Sequence, residues 1–176
     1  MQPLFCMMTE AARLRSQAFE TAKSGNLAES ISLYRQAVSL ADPERVDMGM
    51  IHGEFGSVLT MSGDLKAARE QRELAIEAEI KFMGYDSLAV AVARYFLGES
   101  LLKMGEFETA VAAVQESLGL TKLDGLLRMV EALGNWGEGR KTEANAAAKL
   151  ALESALDKQR ATVIDRLREI LDDTAS

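Results

Sequence analysis

His52 is the only histidine and Cys6 the only cysteine in the 176 residues. Metal sites built on several imidazoles or thiolates are therefore excluded, and so is an intramolecular disulfide. His52 falls four residues before Gly56, within a helical pattern, and reads as a packing residue; Cys6 reads as incidental. Nucleophilic, metal-hydrolytic and phosphate-binding chemistry would each need its own signature. The chain has no Gly-x-Ser-x-Gly elbow, no His-Glu-x-x-His pair and no phosphate loop ending in Gly-Lys-Ser/Thr. The glycine-rich stretch Gly134, Asn135, Trp136, Gly137, Glu138, Gly139 lacks the G-x-G-x-x-G order and follows no strand pattern, so it reads as a frayed helix end. Glu70 with Glu73, and Glu106 with Glu108, could in principle act as acid–base pairs. They stand among basic residues on helix faces and helix starts, where solvated charge is the simpler reading. No catalytic residue, metal ligand or cofactor site is assigned, and the expectation is a protein that is not an enzyme.

Composition narrows the partners. With 27 acidic and 20 basic residues the formal net charge is −7, and 48% of residues are apolar. A globular chain of this balance has no basic face to displace counterions from phosphates, so nucleic acid is not an expected partner. No apolar run is long enough to cross a bilayer, and residues 1–8 lack the basic start of a signal peptide. The expectation, which the single cysteine also fits, is a cytoplasmic protein without a membrane partner, with 1–8 outside the fold.

Only Pro3 and Pro43 interrupt a chain otherwise rich in Ala, Leu, Glu, Lys and Arg, with apolar residues three and four apart. The pattern is helical throughout. Four short breaks share one form, centred on Gly25, Gly63, Gly105 and Gly139. Glycine there can end a helix in the left-handed conformation. Asn26, Asp64 and Glu106 follow and suit the next helix start, whereas Arg140 does not. Seven residues before each glycine stand Ala18, Gly56, Gly98 and Ala132. Five after stand Ser30, Ala68, Ala110 and Ala144, and twelve after stand Ala37, Ala75, Ser117 and Ala151. All twelve are small, although Ala, Ser and Gly make up under a third of the chain. Thirteen after each glycine come Val38, Ile76, Leu118 and Leu152, all large and apolar. Small residues let two antiparallel helices approach closely, and the large neighbour fills the space between hairpins.

These residues resemble the tetratricopeptide repeat family, whose unit is a helix–turn–helix. The third unit carries Leu97-Gly98, Leu101, Gly105-Glu106, Ala110, Val114 and Leu118, and the second Phe55-Gly56, Leu59, Gly63-Asp64, Ala68 and Ala75, with Arg72 in place of an aromatic. The first has Leu14, Ala18, Gly25, Tyr34, Ala37 and Pro43; the fourth keeps Ala132, Gly139, Ala144 and Ala151 but has Glu131 and Asn135 where apolar residues are expected. Turn glycines are 38, 42 and 34 residues apart, against about 34 in the family. The segment Gly84-Tyr85-Asp86-Ser87 before Leu88 is similar to the longer repeats of the kinesin light chain type. The resemblance implies an all-α superhelix of about four hairpins over 9–156. It is closed by an amphipathic capping helix and tail over 157–176, in which Val163, Ile164, Leu167, Ile170 and Leu171 form one stripe.

In this family the first helices of successive units line a concave groove. The resemblance implies that a peptide or helix of a protein partner would be anchored there by Phe19, Met50, Tyr95, Met129 and Trp136, with Arg15 and Glu99 among the rim residues setting its direction. Aromatic residues and methionine are enriched in interfaces. The carboxylate clamp of chaperone-binding members is missing, because Phe19, Val92 and Phe96 fall at several of its positions. The expected function is a non-enzymatic adaptor or scaffold. The alternatives are a homodimer formed through the terminal helix, which could also fold back over the far half of the groove, and an acidic inhibitor or immunity-type protein covering a basic partner.

Overall fold

A computed structural model describes residues 9–44 and 47–174; the opening 1–8 segment lies outside them. Ten helices and no strand occur among the described residues: α1 (Glu10–Lys23), α2 (Leu27–Leu40), α3 (Met48–Ser62), α4 (Leu65–Met83), α5 (Leu88–Met104), α6 (Phe107–Gln115), α7 (Asp124–Gly137), α8 (Lys141–Ser154), α9 (Asp157–Arg166) and α10 (Arg168–Thr174). The chain divides into two compact units, 1–78 and 79–176.

The four turns are one hydrogen-bonded object made four times. Gly25, Gly63, Gly105 and Gly139 take φ of 88°, 87°, 76° and 73°. In each turn the residue after glycine donates its N–H to the carbonyl four residues before glycine: Asn26 to Thr21 (3.2 Å), Asp64 to Leu59 (3.0 Å), Glu106 to Leu101 (3.0 Å) and Arg140 to Asn135 (2.9 Å). These carbonyls would otherwise lack partners at the helix end. Asn26 and Asp64 then cap the following helix, accepting from Glu29 N and Ala67 N. Arg140 makes no side-chain cap; its Nε donates instead to Asn135 Oδ1 at 2.8 Å.

All twelve small residues of the three columns are buried. They sit at the hairpin crossings, where Ser30 Oγ donates to the Ala18 carbonyl at 2.8 Å. Glycine is required at some of them. A Cβ on Gly98 would lie 2.7 Å from Val130 Cγ1 and 3.1 Å from Val114 Cγ1, so Gly98→Ala is expected to cost about 1–3 kcal/mol. Thermal unfolding followed by circular dichroism checks this, and an unchanged midpoint would contradict so tight a crossing.

In the N-terminal unit the core gathers Leu14, Ala18, Leu33, Tyr34, Phe55, Val58 and Leu59, with Tyr34 and Phe55 stacked at 5.5 Å. His52 is buried, its Nδ1 2.8 Å from Gln71 Oε1. In the C-terminal unit Met129 and Ala132 of α7, four alanines of α8, and Val163, Leu167 and Ile170 of the last two helices make one core. The terminal segment forms two helices meeting at Leu167 rather than one, and its apolar stripe faces its own chain apart from Ile164, which is exposed. The glycine-rich stretch is not frayed. α7 runs through Gly137, and a Cβ on buried Gly134 would lie 2.6 Å from Val111 Cγ2, because α6 presses directly against it.

Candidate functional site

Arg15, Phe19 and Met50 belong to the N-terminal unit. α1 and α3, the first helices of its two hairpins, place them on one face. Arg15 of α1 reaches Glu54 of α3 through both Nε (2.7 Å) and Nη2 (2.5 Å), and the same Nη2 lies 3.1 Å from Met50 Sδ. Two parallel N–H···O bonds fix the guanidinium plane as well as its distance. Tyr34 donates to Glu54 Oε2 at 3.2 Å, and burial together with the Glu54 carboxylate pushes its phenol up. Beside this polar knot lies an apolar pocket of about 210 Å³, lined by Phe19, Ala22, Tyr34, Val58 and Met61. Phe19 is 45% exposed, Met50 42% and Met61 59%. Lys23 sits over the Phe19 ring at 5.5 Å. Met61, two residues before Gly63, carries no signal in the sequence that marks it as part of this face.

Tyr95, Glu99, Met129 and Trp136 belong to the C-terminal unit, where the terminal helices pack against the α7 and α8 core and reach Glu99 of α5. Met129 is 0% exposed and lies in the core with Leu167 and Ile170. It has no surface to offer a partner while those helices stay in place. Tyr95 and Trp136 are half-buried against that core, and Lys141 lies 5.0 Å from the Trp136 ring centroid. Glu99 accepts from Arg166 Nη1 at 2.8 Å. Burial and the Glu99 carboxylate push the Tyr95 phenol up, while Arg166 opposes them. α5 keeps Leu88, Val92 and Phe96 exposed at four-residue spacing.

Two polar arrangements were not legible as sites in the sequence. Arg94 is buried yet charged, donating to Ser117 Oγ (2.9 Å) and Glu116 (2.5 Å), with Tyr85 stacked 4.4 Å away. It ties α5 to the end of α6. Glu131 and Asn135 line a cleft of about 520 Å³ together with parts of α6 and α8. Among the described residues no group of His, Cys, Asp and Glu could hold a metal ion, and no helix is long and apolar enough to cross a membrane.

Paired helices, repeated glycine turns and columns of small residues at the crossings define the all-α class of helical-hairpin repeats, a tetratricopeptide-repeat-like solenoid fold. Solved structures of MamA, a tetratricopeptide-repeat-like protein, share it. MamA 41-end from Desulfovibrio magneticus RS-1 superposes with a TM-score of 0.69 at 13% identity, over 94% of this chain and 96% of that one. The MamA RS-1 ArsTM double mutant gives 0.69 at 13% identity, over 94% and 95%. A MamA structure from MSR-1 gives 0.62 at 18% identity, over 94% and 87%. No protein-family profile and no curated protein matches the sequence.

Proposed function

We propose that the chain is a non-enzymatic adaptor that binds a peptide or helix of another protein on the α1/α3 face of its N-terminal unit. One observation carries this reading: Phe19 and Met61 stay exposed around an apolar pocket bordered by Glu54, whose carboxylate is fixed by Arg15, and Met50 is exposed beside that pair. Exposed aromatic and methionine side chains beside a preorganised ion pair suit an apolar anchor with a polar neighbour that sets direction. The repeat fold shared with MamA supports an interaction module in general. Tyr95, Glu99 and Trp136 remain in the proposal as a second contact region, reached where the terminal helices leave them part-exposed. Met129 enters only if those helices move. A cytoplasmic setting, with neither membrane nor nucleic acid as partner, remains part of the same proposal.

Phe19→Ser combined with Met50→Ser should abolish capture of the partner from the native cell while leaving the melting temperature within about 3 °C, because both side chains face solvent. Equal capture by wild type and variant would remove this face from the proposal. The rival reading of self-association predicts a mass that rises over a tenfold concentration range in light scattering. The acidic-inhibitor reading predicts an affinity that falls steeply with salt, from the net charge of −7.

A further inference from the structure

Glu131 and Asn135 stand eight and four residues before the fourth turn glycine, where the second unit has Phe55 and Leu59 and the third Leu97 and Leu101. Those four apolar residues are buried and fill the space between hairpins. In the fourth unit the polar replacements leave the cleft between α6 and α8, with α7 as its floor. Its volume of about 520 Å³ falls within the span of small-ligand pockets, roughly 300–1,000 Å³.

The polar groups of the floor are only partly matched within the chain. Arg128 Nε donates to Asp124 Oδ2 at 2.9 Å, and Arg140 Nε donates to Asn135 Oδ1 at 2.8 Å with Glu138 3.9 Å away. Both guanidiniums are thus already engaged with acceptors of the chain. Glu131 differs: its Oε2 pairs with Arg128 Nη1 only at 3.5 Å, receives no hydrogen bond and is shut off from solvent, while the side chain as a whole stays part-exposed and lines the cleft. Asn135 is 7% exposed, and its Oδ1 is taken by Arg140. Glu108 and Glu143 add two carboxylates at the rim, neither in an ion pair among the described residues. Val111, Ala147 and Leu150 supply apolar walls above this floor. A buried carboxylate without a donor is costly, and a charged N–H donor is its strongest complement.

We propose that this cleft binds an alkyl-ammonium or guanidinium cation, its charged head on Glu131 and its methylenes between Val111, Ala147 and Leu150. The cation is either the side chain of a lysine or arginine presented by a partner or a free aliphatic amine. Burial first, and then the nearby Asp124 carboxylate, push the Glu131 carboxyl up against the opposing pull of Arg128. A bound cation favours the ionised form, so binding strengthens as pH rises through the Glu131 titration; Asp124, Arg128, Arg140, Glu108 and Glu143 are the other charged groups facing it.

The full chain is titrated with n-pentylamine, with N-acetyl-lysine N-methylamide and with pentanoate, following the Asn135 side-chain amide by NMR and the heat by calorimetry. One or both amines should bind with the Asn135 resonance shifting, pentanoate should not, and Glu131→Gln should weaken amine binding by about tenfold or more. Leu150→Lys, which supplies a tethered ammonium at the mouth of the cleft, should block amine binding as well. Tighter binding of the lysine derivative assigns a protein side chain as the source, tighter binding of pentylamine assigns a free amine, and equal binding supports the shared chemistry. The proposal is overturned if neither amine binds at about 10 mM, if pentanoate binds as well as the amines, or if amine binding survives unchanged in folded Glu131→Gln or Leu150→Lys.

Discussion

Leu167→Ala is expected to lower the unfolding free energy of the C-terminal unit by about 2–5 kcal/mol. Leu167 is fully enclosed at the junction of α9 and α10, in one core with Met129, Ala132 and the α8 alanines. The α8 alanines have no rotamers with which to move into the hole left by the missing side-chain atoms. Trp136, the only tryptophan, packs against the same core and reports the transition by fluorescence in urea. Ile164→Ala, three residues earlier on the outward face, should cost under about 0.5 kcal/mol. A loss below about 1 kcal/mol at Leu167 would mean that the terminal helices do not rest on this core in solution.

Glu131→Leu is expected to act in the opposite direction, raising stability by about 1–2 kcal/mol at neutral pH. The substitution restores the residue type of the third unit and removes a carboxylate whose buried Oε2 accepts no hydrogen bond. Arg128 keeps Asp124, whose carboxyl is held below its usual range: burial opposes ionisation, but the Gly119 amide and Arg128 outweigh it. The pH dependence follows from the raised Glu131 value. Below its unfolded value of 4.5 the carboxyl is protonated in both states. As pH rises through the raised folded value the native protein must ionise a group it holds poorly, and stability is lost. The advantage of Glu131→Leu should therefore be smallest near about pH 4 and reach a plateau above the folded value, as urea midpoints across that range would show. A variant less stable than wild type at neutral pH would contradict this account.

The hairpins were legible because turn chemistry and crossing geometry place demands on single positions. A left-handed residue at Gly25, Gly63, Gly105 and Gly139 and close helix approach at the small columns each restrict residue type, so the spacing appears directly in the sequence. Exposure on the first-helix face was legible in part. Arg15, Phe19, Met50, Tyr95 and Glu99, the positions expected to be exposed in the first three units, are all at least part-exposed. Met129 departs because its surroundings are set by Leu167 and Ile170, about forty residues on, and no local pattern encodes that contact. Asn135 and Glu131 could be seen to break the apolar rule. That α6 and α8 would stand apart above them depends on the volumes of three helices together, which no single position declares.

The recurring turn also bears on how quickly the chain can find its structure. Each hairpin closes its own end through hydrogen bonds between residues five apart, and its two helices meet at small residues only twelve and nineteen positions apart, as with Ala18, Ser30 and Ala37. Ordering such a loop costs little chain entropy, and contacts this local go with folding in microseconds to milliseconds. α1 and α2 could pair as soon as residue 40 has left the ribosome. The C-terminal core must wait for Leu167 and Ile170, so late in synthesis Met129 is the buried side chain left longest without its cover.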